Sequence, residues 1–322
     1  MAKMNIAGTT SGDFVQLENV ILDVMSKEIL FEAEPIMRFE SIAVIRTELS
    51  SMPGNKINFL KYHALDGDSA LGETDTIDPT AMSTETIDIS VSEHARAVRV
   101  SEFLLRSAVT DTLRDAAIQL ARHYARSRDA LIRDALMTGT NVKYAKGRAN
   151  RAGLIATDVF DVDLVRDVVE LLATNKAPKF NLDAYITFVH PHQGRYLRSD
   201  SDWVNVNLYA SPESIKSGEI GRIEDMRFIE TTHIHVVKMG TQDIWADNLD
   251  TGKNTSVAAN AATDVYRSVT VGDYAVGLAV GLPVEMRDNG VEDFGRRHSI
   301  AYYGIWGAGL IEEAHSVISE TA

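Results

Sequence analysis

Cysteine is absent from the 322 residues. That excludes disulfide crosslinks, thiolate zinc sites and cysteine nucleophiles, and leaves stability to packing and association. Proline is scarce, with 7 residues, and no long apolar run is present; about 18 such residues in a row would be needed for a membrane-crossing helix. The opening residues Met1-Ala2-Lys3-Met4-Asn5 lack the apolar segment of a secretory signal, so the chain is expected to stay in the cytoplasm that made it. Positive charge is the minority sign: 32 Lys and Arg face 46 Asp and Glu, for a formal charge of -14. A dedicated nucleic-acid binder needs a basic face to displace counterions from phosphates. The charge balance therefore leaves room only for weak, non-specific contact with nucleic acid.

What is present is a chain 45% hydrophobic and 24% charged, with enough apolar material for one large core or two smaller ones. The charge is uneven. From Tyr62 to Ala95 there is no Lys or Arg, while Asp66, Asp68, Glu73, Asp75, Asp78, Glu85, Asp88 and Glu93 all fall there. Such a run is either a solvated acidic loop or an acidic arm that docks on basic residues of a neighbouring copy. It lies between two alternating segments, Lys56 to Tyr62 and Glu85 to Val91. In the second, Ile87, Ile89 and Val91 share one face at period two. These are the legs of a hairpin whose far end, His63 to Thr84, has no helix or strand pattern. A structureless stretch of about 20 residues points to a segment ordered from outside its own fold. Two strands alone are marginal in water, and a neighbouring subunit is the simplest partner.

Ser101 to Thr138 is the strongest helical signal, with no glycine or proline before Gly139. Leu113, Ala117, Leu120, Tyr124, Leu131 and Ala135 recur at helical spacing, and Arg114, Asp115, Arg122, Arg126, Asp129 and Arg133 fill the opposite face. A continuous helix would reach roughly 57 Å at 1.5 Å per residue, a spine for an extended subunit. The alternative is two helices broken near Ser127. The first forty residues read as an arm with a helical piece from Phe14 to Ile29, and a strand is expected around Ser41 to Glu48. Beyond Gly139 a helix is expected at Asp163 to Asn175, a strand at Ala184 to Val189 and one helical turn at Gly194 to Leu197. Short strands are expected at Arg227 to Thr231, His233 to Lys238 and Gln242 to Ala246, then at Val265 to Val271, Tyr274 to Val280 and Ser299 to Trp306, with a last short helix at Leu310 to Ile318. This order reads as α+β rather than a regular βαβ repeat.

Chemistry is mostly missing. His190-Pro-His192 and His233-Ile-His235 each place two imidazoles on one face of an extended segment, yet third and fourth ligands at a recognisable spacing do not follow. These histidines read as surface or interface residues, with a metal-dependent hydrolase as the lesser alternative. The glycines of Gly304-Ile-Trp-Gly-Ala-Gly309 do not follow the order of a nucleotide loop. Close packing of a strand against another backbone explains them better, and Gly272, Gly277 and Gly281 are read likewise. Asp66-Gly67-Asp68 lacks the remaining ligands of a calcium loop and reads as a turn. No catalytic, cofactor or metal site is expected.

Several passages together resemble the major capsid proteins of N-four-type tailed phages, which adopt the Hong Kong ninety-seven-type capsid fold. They are Leu65-Asp66-Gly67-Asp68 through Ile87-Asp88 to His94-Ala-Arg-Ala-Val-Arg99; the helix exit Leu136-Met-Thr-Gly-Thr-Asn-Val-Lys-Tyr-Ala145; Val189-His-Pro-His-Gln193 with Leu197-Arg198 and Asp202-Trp203; and Gly218-Glu-Ile-Gly-Arg-Ile223 followed by Met226-Arg-Phe-Ile-Glu-Thr231. The last is the most specific. The resemblance implies an α+β phage capsid fold with an N-terminal arm at 1–40 and an extended β-hairpin loop and its base at 41–100. It further implies a peripheral domain with a spine helix at 101–160, an axial domain at 161–262 and returning strands at 263–322. It implies self-assembly into an icosahedral shell of pentamers and hexamers around double-stranded DNA, with a portal, a separate scaffold and decoration proteins as partners and no membrane. A compartment shell of the same fold is the alternative. The polar loop tip departs from the more glycine-rich tips of relatives. The residues expected at subunit contacts are Lys56, Lys61, Asp66, Asp68 and Glu73 on the loop, and Arg122, Arg126 and Arg133 on the helix.

Overall fold

The computed structural model describes residues 38–50, 54–62, 81–108, 112–200, 219–237, 244–245 and 263–322. The expected helical piece at Phe14 to Ile29 and the loop tip lie outside them. The chain forms two compact units. The first holds Ala95–Tyr124 and Glu285–Tyr303; the second holds Pro35–His94, Ala125–Val284 and Gly304–Ala322.

The hairpin expected from alternation is present. Strand β1 (Val44–Arg46) precedes β2 (Lys56–Tyr62), which pairs antiparallel with β3 (Thr84–Ser90) in the register Lys56 to Ser90 and Tyr62 to Thr84. Ile57 and Phe59 are buried on one face of β2 while Lys56, Asn58 and Leu60 point away. Strand β4 (Ser92–Ser101) follows almost without interruption. Ser101 then caps α1 (Glu102–Ser107), its hydroxyl accepting from the Leu104 N–H at 3.2 Å.

The long helix is neither continuous nor broken near Ser127. Helix α1 ends at Ala108 in extended conformation (ψ 145°), and α2 (Thr112–Leu136) runs straight through Ser127. No glycine or proline marks the break. Ser107 instead donates its hydroxyl to the Phe103 carbonyl at 2.7 Å, and the Val109-Thr110 and Thr112 that follow are β-branched, weak helix formers.

Most of the second unit is an eight-stranded sheet. Its members are β5 (Val142–Tyr144), β6 (Tyr185–Val189), β7 (Glu219–Ile223), β8 (Met226–Glu230), β9 (Val236–Val237), β10 (Ile244–Trp245), β11 (Val265–Val271) and β14 (Ser316–Thr321). Strand β11 is central: β14 runs antiparallel along one edge, and β6 and β9 share the other. Helix α3 (Val162–Thr174), capped by Asp161, buries Leu164, Val165, Val168 and Leu172 with Tyr185, Val189, Phe228 and Val317. Ile132 and Leu136 of α2 pack with Phe188, Val269, Val271 and Ile318 instead. Neighbours such as Phe188 and Val189, or Val317 and Ile318, fall in different clusters because successive side chains leave a strand on opposite faces. The sheet is thus covered on both sides, which is why β11 and β14 are buried almost throughout.

Three expectations need correction. The helical turn at Gly194 to Leu197 is a longer helix, α4 (Pro191–Ser199). The strand at Tyr274 to Val280 is the start of β12 (Val276–Glu292), which pairs in the other sheet with β13 (Arg297–Leu310) in the order β1, β12, β13, β4. The final helix at Leu310 to Ile318 is replaced by a short 3-10 turn at Glu313–His315 and by β14. Leu310, Ile311, Ala314, Val317 and Ile318 recur at helical spacing, but the segment from Ser316 gains a full backbone ladder with β11 and a second one with β5.

Gly277 and Gly281 of β12 and the three glycines of β13 serve close packing, as their sequence context suggests. A Cβ at Gly277 would lie 2.8 Å from the Phe59 ring and 2.9 Å from Ile89; one at Gly309 would lie 3.2 Å from Ile89. At Gly307 it would collide with the Ser90 carbonyl. A Gly307→Ala variant should therefore lose about 2 kcal/mol or more of stability, since backbone cannot yield as a flexible side chain does. Urea unfolding of the isolated subunit checks this, and an unchanged midpoint would refute the packing role.

Candidate assembly surface

The hairpin is seated on its own subunit through a small apolar cluster: Ile57, Phe59, Ile89 and Ala279 are buried, with Val44, Ile87, Val91 and Ile311 packed around them. Lys61 is ion-paired with Glu312, and Lys56 lies 3.7 Å from Asp88 across the hairpin. Both expected contact lysines therefore have partners within the chain. Farther out, Leu60, Tyr62 and Met82 are exposed. Sequence reasoning missed Leu60 and Tyr62, although their position two and four residues from Asn58, out of phase with Ile57 and Phe59, puts them on the outer face. Asp66, Asp68 and Glu73 lie outside the described residues.

Of the expected helix cations, Arg122 falls in the first unit and Arg126 in the second, both half-buried. Arg133 is a correction. It is fully buried, donates from Nη1 to the His233 carbonyl at 2.9 Å, and donates from Nε and Nη2 to Asp134 Oδ1 at 2.9 and 2.7 Å. A guanidinium committed in this way cannot receive a neighbour's carboxylate. Asp129, on the same polar face, is also buried. Its Oδ1 accepts the N–H groups of Phe39 at 2.7 Å and of Arg38 and Glu40 at 3.2 Å each. Phe39 packs on Phe188 with ring centroids 4.3 Å apart, and Arg128 pairs with Glu40 at 2.9 Å. A carboxylate on α2 thus clamps the backbone of Arg38, Phe39 and Glu40. Burial raises the Asp129 carboxyl above the usual range despite the three donors. No sequence signal marks this clamp, because its partners are backbone groups 89 to 91 residues away.

The histidines are structural. His190 caps α4, its Nδ1 accepting from the His192 N–H at 3.1 Å while Gln193 returns the favour to the His190 N–H at 3.1 Å. His192 stacks on Tyr266, centroids 4.1 Å apart. His233 and His235 are buried rather than on the surface, and His235 Nε2 lies 3.0 Å from Asp134 Oδ1. Among the described residues, no three metal-ligating side chains converge. A further charged group is internal: Glu320 of β14 is fully buried, bound by Arg151 (Nε to Oε2, 2.7 Å) and by its cross-strand partner Arg267 (3.1 Å).

This arrangement matches that of phage shell subunits. The capsid protein of cyanophage Pam1 superposes with a TM-score of 0.72 at 16% identity, over 97% of this chain and 99% of that one. The capsid of Ralstonia phage GP4 gives 0.71 at 16% identity over 98% and 99%, and that of cyanophage P-SCSP1u gives 0.71 at 16% over 95% and 94%. At such identities the likeness shows the fold, the Hong Kong ninety-seven-type capsid fold. The chain itself belongs to the phage capsid protein family, whose model matches residues 84–317. It is a major capsid protein, a shell subunit that works in many copies in the virion. No curated protein sequence matches it.

Burial holds His235 below the usual imidazole range, outweighing the hydrogen bond to Asp134, and Arg133 and Arg267 add to the effect. Burial also pushes Asp134 up, but the His235 hydrogen bond and the Arg133 charge outweigh it, and its carboxyl stays below the usual range. His192 and His315 are lowered by burial too. A histidine with a lowered folded pKa binds fewer protons folded than unfolded, so stability falls as pH drops below about 6.5. Urea midpoints of the isolated subunit should therefore decline from pH 7.5 to pH 5.5, and His235→Gln should flatten that decline without abolishing it.

Proposed function

We propose that this capsid protein builds the icosahedral shell around the double-stranded DNA genome of a tailed phage, through pentamers and hexamers of itself. The observation that carries this reading is the family match from β3 to the start of β14, joined to a hairpin that is anchored at its base and exposed along its outer face. In this reading residues 1–40 are the arm, 41–100 the extended loop and its base, 101–160 the peripheral domain, 161–262 the axial domain and 263–322 the returning strands. Each copy touches several neighbours, and contacts that are modest one by one become collectively hard to break.

The acidic loop around Asp66, Asp68 and Glu73 docks on a neighbouring copy, with Arg122 and Arg126 as its cationic partners. Lys56 and Lys61 orient the loop by their ion pairs within the chain. Burial of Arg133 removes it from that docking set. Portal, scaffold and decoration proteins are separate partners, contact with packaged DNA is weak and non-specific, and the subunit collects in the host cytoplasm before assembly. The protein catalyses nothing in this reading; its buried histidines and carboxylates stabilise the body.

Electron microscopy of the recombinant protein tests the assembly directly. Closed shells, tubes or capsomers are the expected result, and a monodisperse monomer under all conditions would contradict it. Reversing the charges at Asp66, Asp68 and Glu73 to lysine together should impair assembly while leaving the unfolding free energy of the subunit in urea within about 0.5 kcal/mol of wild type. Normal shells from that variant would remove the docking proposal.

A further inference from the structure

Bulky side chains occupy left-handed backbone at Leu182 (φ 58°), Tyr274 (φ 59°) and Phe294 (φ 54°). That region is rare for such residues because Cβ crowds the following carbonyl oxygen. All three are exposed, Leu182 at 92% and Phe294 completely. Strain together with an uncovered apolar side chain is doubly unfavourable for an isolated chain, and such outliers collect where contacts are made. Leu182 stands singly among ion pairs, its neighbour Asp183 held by Arg222 and Arg227, and a lone apolar residue in that setting is ordinary.

Phe294 differs. It lies in the turn between β12 and β13, within the first unit, with Val291 and Met286 exposed on the strand leading to it. Asp293 (φ 50°) and Gly295 (φ 93°) on either side are left-handed as well. The turn is closed by the Gly295 N–H donating to the Glu292 carbonyl at 3.2 Å and the Arg296 N–H to that of Asp293 at 3.1 Å. Behind it, Arg287 stacks over Tyr303 at 4.0 Å and His298 pairs with Asp288 at 2.8 Å. The ring is therefore presented on a braced hairpin.

We propose that Phe294 is an anchor by which the β12–β13 tip seats in a second copy of this chain. The choice of occupant rests on the shell reading, and two observations support it. One hairpin tip covers far less than the roughly 1,200–2,000 Å² of a stable pairwise interface, so it holds only as one of many repeated contacts, the condition met among copies in a shell. Arg296 and Arg297 follow the ring, loosely tied to Asp293 at 3.8 and 3.7 Å. They would face a copy whose formal charge is -14, and an aromatic ring beside guanidinium groups is the composition of interface anchors.

The test uses the full chain with Phe294→Asn, which removes the ring and suits left-handed backbone. The isolated variant should unfold at the same urea concentration as wild type or a higher one. The subunit concentration needed for assembly, followed by light scattering, should rise roughly tenfold or more, and Phe294→Tyr should restore it. Assembly unchanged in Phe294→Asn would overturn the proposal, and so would a lower urea midpoint, because the ring would then be stabilising its own subunit. Ring-dependent sedimentation with anionic lipid vesicles alongside normal assembly would overturn it in favour of a lipid surface. A wild-type chain that forms no shell would instead refute the reading on which the proposal rests.

Discussion

Where the hairpin leaves the body, the Ser90 carbonyl occupies the space that a side chain at residue 307 would need. Backbone meeting backbone at that distance is possible only over glycine, and it lets Phe59 and Ile89 settle on Gly277, and Ile89 on Gly309, with almost no gap. The seating of β2 and β3 follows from this contact. A hairpin of two strands has no interior of its own, so its outward Leu60 and Tyr62 are held in place only because its inward face is seated.

Charge is used inside the second unit in a way that a net of -14 would not suggest. Glu320 with Arg151 and Arg267, and Asp134 with Arg133 and His235, are buried or half-buried groups that join the end of α2, β9, β11 and β14. Burying ions is costly, and such groups rarely stabilise more than apolar packing of equal volume would. They are, however, intolerant of misalignment, since each partner left alone is a buried unpaired charge. The Asp129 clamp adds the same discipline to the start of the described chain: three N–H groups point at one carboxylate, so Phe39 can occupy a single position against Phe188. A shell subunit gains from a body that holds one geometry in every copy.

Much of this was legible beforehand. Period-two alternation located both legs of the hairpin, and the glycines of β13 were recognised as packing positions because they failed the nucleotide-loop order. The matched passages carried the family. Other features were misread for identifiable reasons. The helix break follows no glycine or proline, only a serine bonded back to its own helix. Arg133 and Asp129 sit on the polar stripe of α2 and are buried regardless, because what covers them is supplied by residues about 90 to 100 positions away.

The amino-acid order alone determined what is local or compositional: an acidic, cysteine-free α+β chain, a hairpin with an acidic far end, a capped helix after Ser101, and membership of a shell-forming family. Tertiary structure decided which polar residues face inward, which strand the last segment joins, and which aromatic stands uncovered at a tip. Those outcomes depend on which distant backbone and side-chain groups arrive as partners. Ser316–Thr321 became a strand because β11 and β5 offered it ladders on both edges, and no pattern within those residues contains that fact.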